Sequence, residues 1–148
     1  MKKYILILVV LLCTGCDKNQ VLECNKKEND NGLSMEQNIK LEINNDKATR
    51  INIDVNFYLE GTYLEHKDIV EENVDEIVKE YQGYDGVQVS EVNNDSNILI
   101  NLTVTYDKMV KKLENDTFNI NRYQGQNTEA IKEQLEKENY SCKVSEIK

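Results

Sequence analysis

Cysteines are the residues of this sequence with the most specific chemistry. There are four of them, Cys13, Cys16, Cys24 and Cys142. A thiol can act as a nucleophile, bind a soft metal ion, take a lipid as a thioether or oxidise to a disulfide. The first two directly follow an apolar run, whereas the last two stand near the ends of the remaining chain. The two pairs are therefore expected to have different roles.

The start of the chain has a charged segment, an apolar segment and a small-residue segment in that order. Lys2 and Lys3 come first, residues 4–12 are apolar, and small residues precede Cys16. The apolar run is shorter than the roughly 20 residues that cross a bilayer, and the whole pattern is typical of a cleaved signal peptide. A cysteine placed after a small residue resembles a lipobox. We therefore expect residues 1–15 to be removed and Cys16 to be lipidated.

A lipid on Cys16 would anchor the chain to the extracytoplasmic face of a bacterial cell membrane. One acyl chain binds a membrane only marginally, whereas two give stable anchoring. The resemblance to lipoproteins implies at least two acyl chains, palmitate among them. Residues 16–19 then form a short tether, and residues 20–148 suit a single domain. The alternatives are an uncleaved membrane anchor and an ordinary secretory signal.

Cys24 and Cys142 have neither CxxC spacing nor a nearby histidine, so they do not indicate a metal site. Outside the cytoplasm, two such thiols favour a structural disulfide. The bridge would close a loop of about 119 residues, which is worth roughly 4–5 kcal/mol if its effect is chain entropy alone. Two unpaired thiols are the alternative.

Other residues give weaker signals for chemistry. His66 is the single histidine, which excludes a histidine-rich metal site, and no GxSxG motif accompanies it. We expect it on the surface at the start of a helix. Carboxylates such as Glu71 and Glu72 fit the solvated face of that helix better than acid–base catalysis. The sequence therefore predicts no catalytic residue, no cofactor and no metal ligand.

Charge and tyrosine content bear on the choice of partner. The net charge is −9, and loss of the two leader lysines would make it about −11, which opposes binding to nucleic acid and to anionic headgroups. Tyrosine suits interfaces because its ring is apolar and its tip is polar. Five of the eight tyrosines could form an exposed recognition surface: Tyr58, Tyr63, Tyr81, Tyr84 and Tyr123. Ordinary packing in strands and helices is the favoured alternative.

The elements that must position these residues follow from hydrophobic periodicity. Alternation predicts strands near residues 21–24, 39–43, 51–59, 87–89, 98–106 and 140–147. An apolar stripe predicts a helix over residues 66–82 with Asp68 at N-cap spacing. A second helix is predicted over residues 128–138 with Asn127 as N-cap, and a short one over residues 108–115.

The predicted order is β-β-β-α-β-β-α-β. This order indicates an α+β fold, in which an antiparallel β-sheet is built from hairpins and two main helices pack on one of its faces. The sequence has no internal repeat and no second domain boundary.

Several segments resemble the small YehR-like bacterial lipoproteins. They are the leader with Cys16, the helix end and strand of residues 81–89, the strand of residues 98–107 and the closing residues 135–142. The resemblance covers nearly all of the mature chain. It implies the fold and the membrane location, and it implies no activity, because the family has none assigned.

Taken together, the sequence predicts a non-catalytic binding or interaction module at the cell envelope. Its expected partners are membrane lipid, through the covalent anchor on Cys16, and a protein or small ligand that the sequence does not identify. A structural, envelope-maintenance lipoprotein is one alternative. A hydrolase that uses surface carboxylates is another, and it needs two acids that converge in a cleft. An apolar concavity beside the sheet would favour the binding module.

Overall fold

The computed structural model describes residues 19–147. The predicted signal peptide and Cys16, the predicted lipid acceptor, lie outside this range. The strands are β1 (Asn19–Asp30), β2 (Leu33–Asn44), β3 (Lys47–Leu59), β4 (Val87–Asn93), β5 (Asn97–Thr105) and β6 (Ser141–Glu146). The helices are α1 (Thr62–Glu65), α2 (Lys67–Tyr81) and α3 (Thr128–Lys137). The α+β class and the antiparallel sheet are confirmed.

The six strands form one sheet in the order β4-β5-β3-β2-β1-β6, and every neighbouring pair is antiparallel. Two-residue turns close the hairpins β1–β2 and β2–β3. Asn31 and Gly32 form the first, Asn45 and Asp46 form the second, and all four have positive φ. Turns of this kind match the twist of the strands and favour Asn, Asp and Gly. The last strand of the chain returns to pair with the first.

The sheet has a covered face and an open face. On the covered face, neighbouring strands place apolar side chains side by side, as Leu41, Ile51 and Val104 do, and these are fully buried. Helix α2 adds Val74 and helix α3 adds Leu135 to the same core. Both longer helices therefore pack on one face, as predicted. Among the described residues, no helix is long and apolar enough to cross a bilayer.

The segment predicted as a short helix over residues 108–115 is not helical. A 3-10 turn occupies Tyr106–Lys108, and the chain then continues in irregular structure. The Asn121 side chain accepts a hydrogen bond from the backbone N–H of Leu113 and donates one to the Leu113 carbonyl, both at 3.0 Å. Such side-chain-to-backbone bonds compete with helix formation and hold this segment as an ordered loop.

The start of the first long helix also differs from the prediction. A short helix, α1, precedes α2, and His66 joins the two as the N-cap of α2 without a side-chain capping bond. Asp68 therefore lies in the first turn and is not the cap. At α3 the prediction is confirmed, since the Asn127 side chain accepts a hydrogen bond from the N–H of Ala130 at 2.9 Å.

Candidate functional site

An apolar groove opens between helix α2 and one end of the covered sheet face. Its volume is about 360 Å³. Strands β2 and β3 form its floor with Leu33 and Phe57, and the two helices form its wall with Thr62, Tyr63, His66, Ile69, Val70, Asn73, Val74 and Ile77. We call this space, with these ten lining residues, the α2 groove.

The groove stays open because α2 packs closely on the sheet only in its second half. The buried residues of the helix are Val74, Val78 and Tyr81. In the first turn, by contrast, Ile69 is 55% exposed and Val70 is half-buried. The start of the helix thus presents apolar side chains that the sheet does not cover.

The few polar side chains of the groove lie on its rim. Thr62, His66 and Asn73 are all exposed. The Asn73 amide donates a hydrogen bond to the carbonyl of Ile69 at 2.9 Å, so part of its polar capacity is already used within the helix. Such a site would bind apolar groups inside and tolerate a polar end at its mouth.

A second hollow adjoins the α2 groove at the edge of the sheet. Its volume is about 490 Å³, and Glu28, Asn29, Asp30, Leu33, Met35 and Phe57 line it. We call it the edge hollow. Leu33 and Phe57 line both spaces, and we call the groove and the hollow together the trough.

The predicted cysteine pair lies away from this trough. Cys24 in β1 and Cys142 in β6 stand directly opposite each other, and a disulfide joins them with 4.1 Å between their Cα atoms. The structure thus agrees with the predicted bridge. Cys16, the predicted lipid acceptor, lies before the first described residue.

Acidic side chains gather between α2 and β4, outside the groove. Burial and the negative charge of Asp75 raise the pKa of Glu91. In contrast, the Asn93 amide, 2.6 Å from the Glu71 carboxylate, and Lys67 lower the pKa of Glu71. None of these carboxylates lines the α2 groove. The convergence of acids in a cleft that the hydrolase alternative requires is therefore not found in the α2 groove.

Burial excludes two of the five tyrosines from an exposed recognition surface, and Tyr84 is half-buried. Tyr81 and Tyr123 are fully buried. The Tyr81 hydroxyl accepts a hydrogen bond from the N–H of Phe118 at 2.8 Å, which ties α2 to the loop before α3. Tyr58 is exposed on the open sheet face, whereas Tyr63 lines the α2 groove. The hypothesis of a tyrosine surface is wrong for the buried pair.

The sequence did not predict the groove, although several of its lining residues had been assigned to other roles. The apolar stripe assigned Val70 and Ile77 to the core, and His66 was expected only as a surface residue. The available signal was Ile69, which lies next to Val70 and widens the apolar surface at the start of α2 beyond one stripe.

Comparison with known proteins gives a likeness of fold. No protein-family model matches the chain, and no curated protein matches its sequence. An NMR structure of the Escherichia coli YehR protein is similar, with a TM-score of 0.62 and 16% identity over 86% of this chain and 92% of that one. An NMR structure of a Streptococcus pneumoniae TIGR4 protein covers 99% of this chain and 97% of that one, with 14% identity and a TM-score of 0.48. The chain therefore has a YehR-like fold.

Proposed function

We propose that this chain is a non-catalytic binding module, held by lipid on Cys16 at the extracytoplasmic face of a bacterial membrane. In this proposal the α2 groove takes an apolar part of the partner. The observation that carries the proposal is the groove itself, an open space of about 360 Å³ whose interior is almost wholly apolar. Spaces of this size and lining are the usual ligand sites of proteins.

Exposed apolar side chains beside the groove support binding. Ile69 is 55% exposed and Leu64 is 42% exposed, and both belong to the helical segment that walls the groove. Full burial of such a side chain is worth about 1.5–3 kcal/mol, so covering the exposed part of each would give roughly half of that. A partner that covers both gains appreciable free energy from these two contacts alone.

The position of the groove argues against bilayer lipid as the partner. Leu33, in the floor of the groove, pairs with Asp30 at the far end of β1 from Asn19. Twelve residues of strand are separated by eleven steps of about 3.3 Å, so the strand spans roughly 36 Å. An anchor just before Asn19 would thus attach the lipid at the end of β1 remote from the groove, and the groove would be accessible to other molecules of the envelope.

Binding of a neutral naphthylamine dye tests the proposal. Residues 17–148 contain every described element, and this segment should bind the dye saturably with a rise in fluorescence. The change Ile69→Glu puts a charge in the groove wall and should weaken binding by at least about five-fold, or about 1 kcal/mol. An acid in the first turn suits the helix dipole, so stability should be kept.

Val110→Glu is the matched control. Val110 is 84% exposed and lies outside the groove. This variant makes the same chemical change and should leave dye affinity unaltered. Equal affinities of both variants and the unmodified chain would remove the groove as the binding site.

A further inference from the structure

Strand β1 has a partner along only half of its outer edge. Strand β6 pairs with it from Gln20 to Asn25, where Asn25 meets Ser141, the first residue of β6. Residues 27–30 are exposed, and on the side away from β2 no described strand pairs with them. The position that β6 occupies beside β1 therefore continues as a slot of about five residues with no described strand in it.

The backbone groups along this slot can be assigned from the antiparallel alternation. The N–H of Ile147 donates to the carbonyl of Asn19 at 2.9 Å, so odd-numbered residues of β1 point their backbone groups toward β6. In an antiparallel ladder this direction alternates from residue to residue. The N–H and C=O groups of Lys27 and Asn29 therefore point out of the sheet edge, while Glu28 bonds inward to β2.

We propose that residues 26–30 of β1 form a docking edge, where an extended segment of a partner protein adds as a further strand in line with β6. This inference names the partner class of the binding module and rests on the proposed function. Alternating donors and acceptors at strand spacing are complementary to another extended backbone, and strand addition of this kind is a recurrent mode of peptide recognition.

The neighbouring side chains indicate what the added segment carries. Its inward-facing side chains would lie beside Glu28 and Asp30 and above the edge hollow, whose floor includes Met35 and Phe57. Because Lys26 already pairs with Glu28, the Asp30 carboxylate at the rim and the apolar side chains below it favour a basic residue and an apolar residue at alternate inward positions. The apolar one leads toward the α2 groove, which shares Phe57 with the hollow.

The end of the slot next to β6 is closed. The Lys26 ammonium forms an ion pair with Glu28 at 2.5 Å and lies 5.5 Å from the centre of the Tyr140 ring. The backbone of Tyr140 does not continue the strand, because its N–H donates to the carbonyl of Leu135 in α3. The added segment therefore ends beside Lys26 and extends past Asp30.

Selection from a library of displayed 12-residue peptides against the full chain in detergent tests this inference. Enriched peptides should slow amide hydrogen exchange at Lys27 and Asn29 by at least about ten-fold. Exchange at Glu28, whose N–H already bonds to β2, should change much less. Failure to enrich any peptide, or protection confined to other parts of the chain, would overturn the inference.

The variant Asn29→Pro removes one outward N–H and no bond to β2, and an edge strand tolerates such a proline. It should lose peptide binding, while the matched variant Asn29→Ala, which keeps the backbone donor, should retain it. If Asn29→Pro does not fold, the unmodified chain is tested with two versions of each peptide, one methylated at the odd-numbered backbone nitrogens and one at the even-numbered backbone nitrogens. One of the two versions should lose binding, because its methyl groups block the N–H groups that face β1. Equal binding by both versions would contradict strand addition.

The two proposals fail in different ways. Saturable dye binding without peptide protection at Lys27 and Asn29 would overturn the docking edge and leave the α2 groove standing. Peptide protection at these amides with no dye binding would support the edge and reject the groove. Protection of both amides at high protein concentration without peptide would show a second copy of the chain as the occupant and overturn the partner inference.

Discussion

At the scale of single residues, the disulfide between Cys24 and Cys142 links two positions far apart in the sequence. They are 118 residues apart in sequence, yet they are directly opposite in neighbouring strands. A cross-link over so long a loop restricts the unfolded chain more than the folded one. Its benefit to stability therefore comes largely from the unfolded state.

Replacing both cysteines by alanine should lower the free energy of unfolding by roughly 2–5 kcal/mol. Urea denaturation of residues 17–148 measures this. A thiol reductant should destabilise the unmodified chain by a similar amount and leave the double variant unchanged. A reductant-independent midpoint in the unmodified protein would show that the bridge contributes nothing.

Asn121 explains at the same scale why one part of the fold escapes prediction. Residues 108–115 include good helix formers, and the sequence therefore predicts a helix. The Asn121 side chain instead bonds to the N–H and the carbonyl of Leu113, and the Tyr84 hydroxyl accepts a hydrogen bond from the N–H of Glu114 at 3.3 Å. These partners come from separate segments, and residue propensities do not reveal them.

At the scale of elements, strand β4 is an open edge of the sheet that carries a charge on its covered face. Glu91 stands opposite Ile100 of β5, on the side where apolar residues are buried. An inward charge on an edge strand discourages pairing with other chains. The charge is costly to the fold, because burial and nearby Asp75 raise the pKa of Glu91.

Glu91→Gln should stabilise the domain at neutral pH, and this gain in stability should disappear at low pH. A raised pKa in the folded state means that ionised Glu91 opposes folding once the pH rises through that pKa. Below the ordinary pKa of 4.5 the residue is protonated in both states, and the cost disappears. After allowance for solvent screening, the gain at pH 7 should be about 0.5 kcal/mol.

Urea denaturation at pH 7 and at pH 3.5 checks the sign of this effect. The advantage of Glu91→Gln should be present at pH 7 and absent at pH 3.5. Glu72→Gln, at an exposed position of α2, serves as the control and should show no comparable gain at pH 7. A variant that is less stable than the unmodified chain at neutral pH would contradict this account of Glu91.

Strand prediction succeeded where the signal is local and failed where it depends on pairing. Alternating apolar residues predict β3 and β5 because a period of two requires no knowledge of the neighbours. The second half of β1, residues 26–30, is wholly polar and charged. It is a strand only because β2 pairs with it over its full length. The docking edge could therefore not have been foreseen from the sequence.

The α2 groove illustrates a second limit of sequence reasoning. The stripe of α2 correctly predicts which side of the helix faces the sheet. Whether Val70 and Ile77 touch the sheet or line a gap depends on the angle at which the helix crosses the strands. The end of α2 is tied to the loop before α3 by the bond from the Phe118 N–H to the Tyr81 hydroxyl, a contact between residues 37 apart in the sequence.

At the scale of the whole molecule, the first and last strands lie side by side. Strand β6 pairs with β1, so the fold is completed only when the end of the chain reaches the beginning. All the strand pairs of the described sheet lie within residues 19–146. We therefore expect the described sheet to form with or without an anchor before Asn19.

The proposed anchor predicts different outcomes for substitutions of Cys16 and of Cys13. Cys16→Ser should move the chain from the membrane fraction to the soluble extracytoplasmic fraction and abolish the acyl mass. Cys13→Ser is the matched control, because residue 13 would leave with the leader. The mature protein of this variant should remain membrane-bound. Cell fractionation with mass spectrometry of the mature terminus gives both readouts. An unlipidated position 16 in the unmodified chain would refute the anchor.

The twelve residues of β1 carry one further mechanical consequence. The proposed lipid attachment precedes Asn19 at one end of this strand, and the proposed docking edge is at its other end. Tension between a bound partner and the bilayer would thus run along a single covalent backbone. Hydrogen-bonded ladders on either side would carry little of the load, so the domain should stay folded under forces that unzip sheets pulled across their strands.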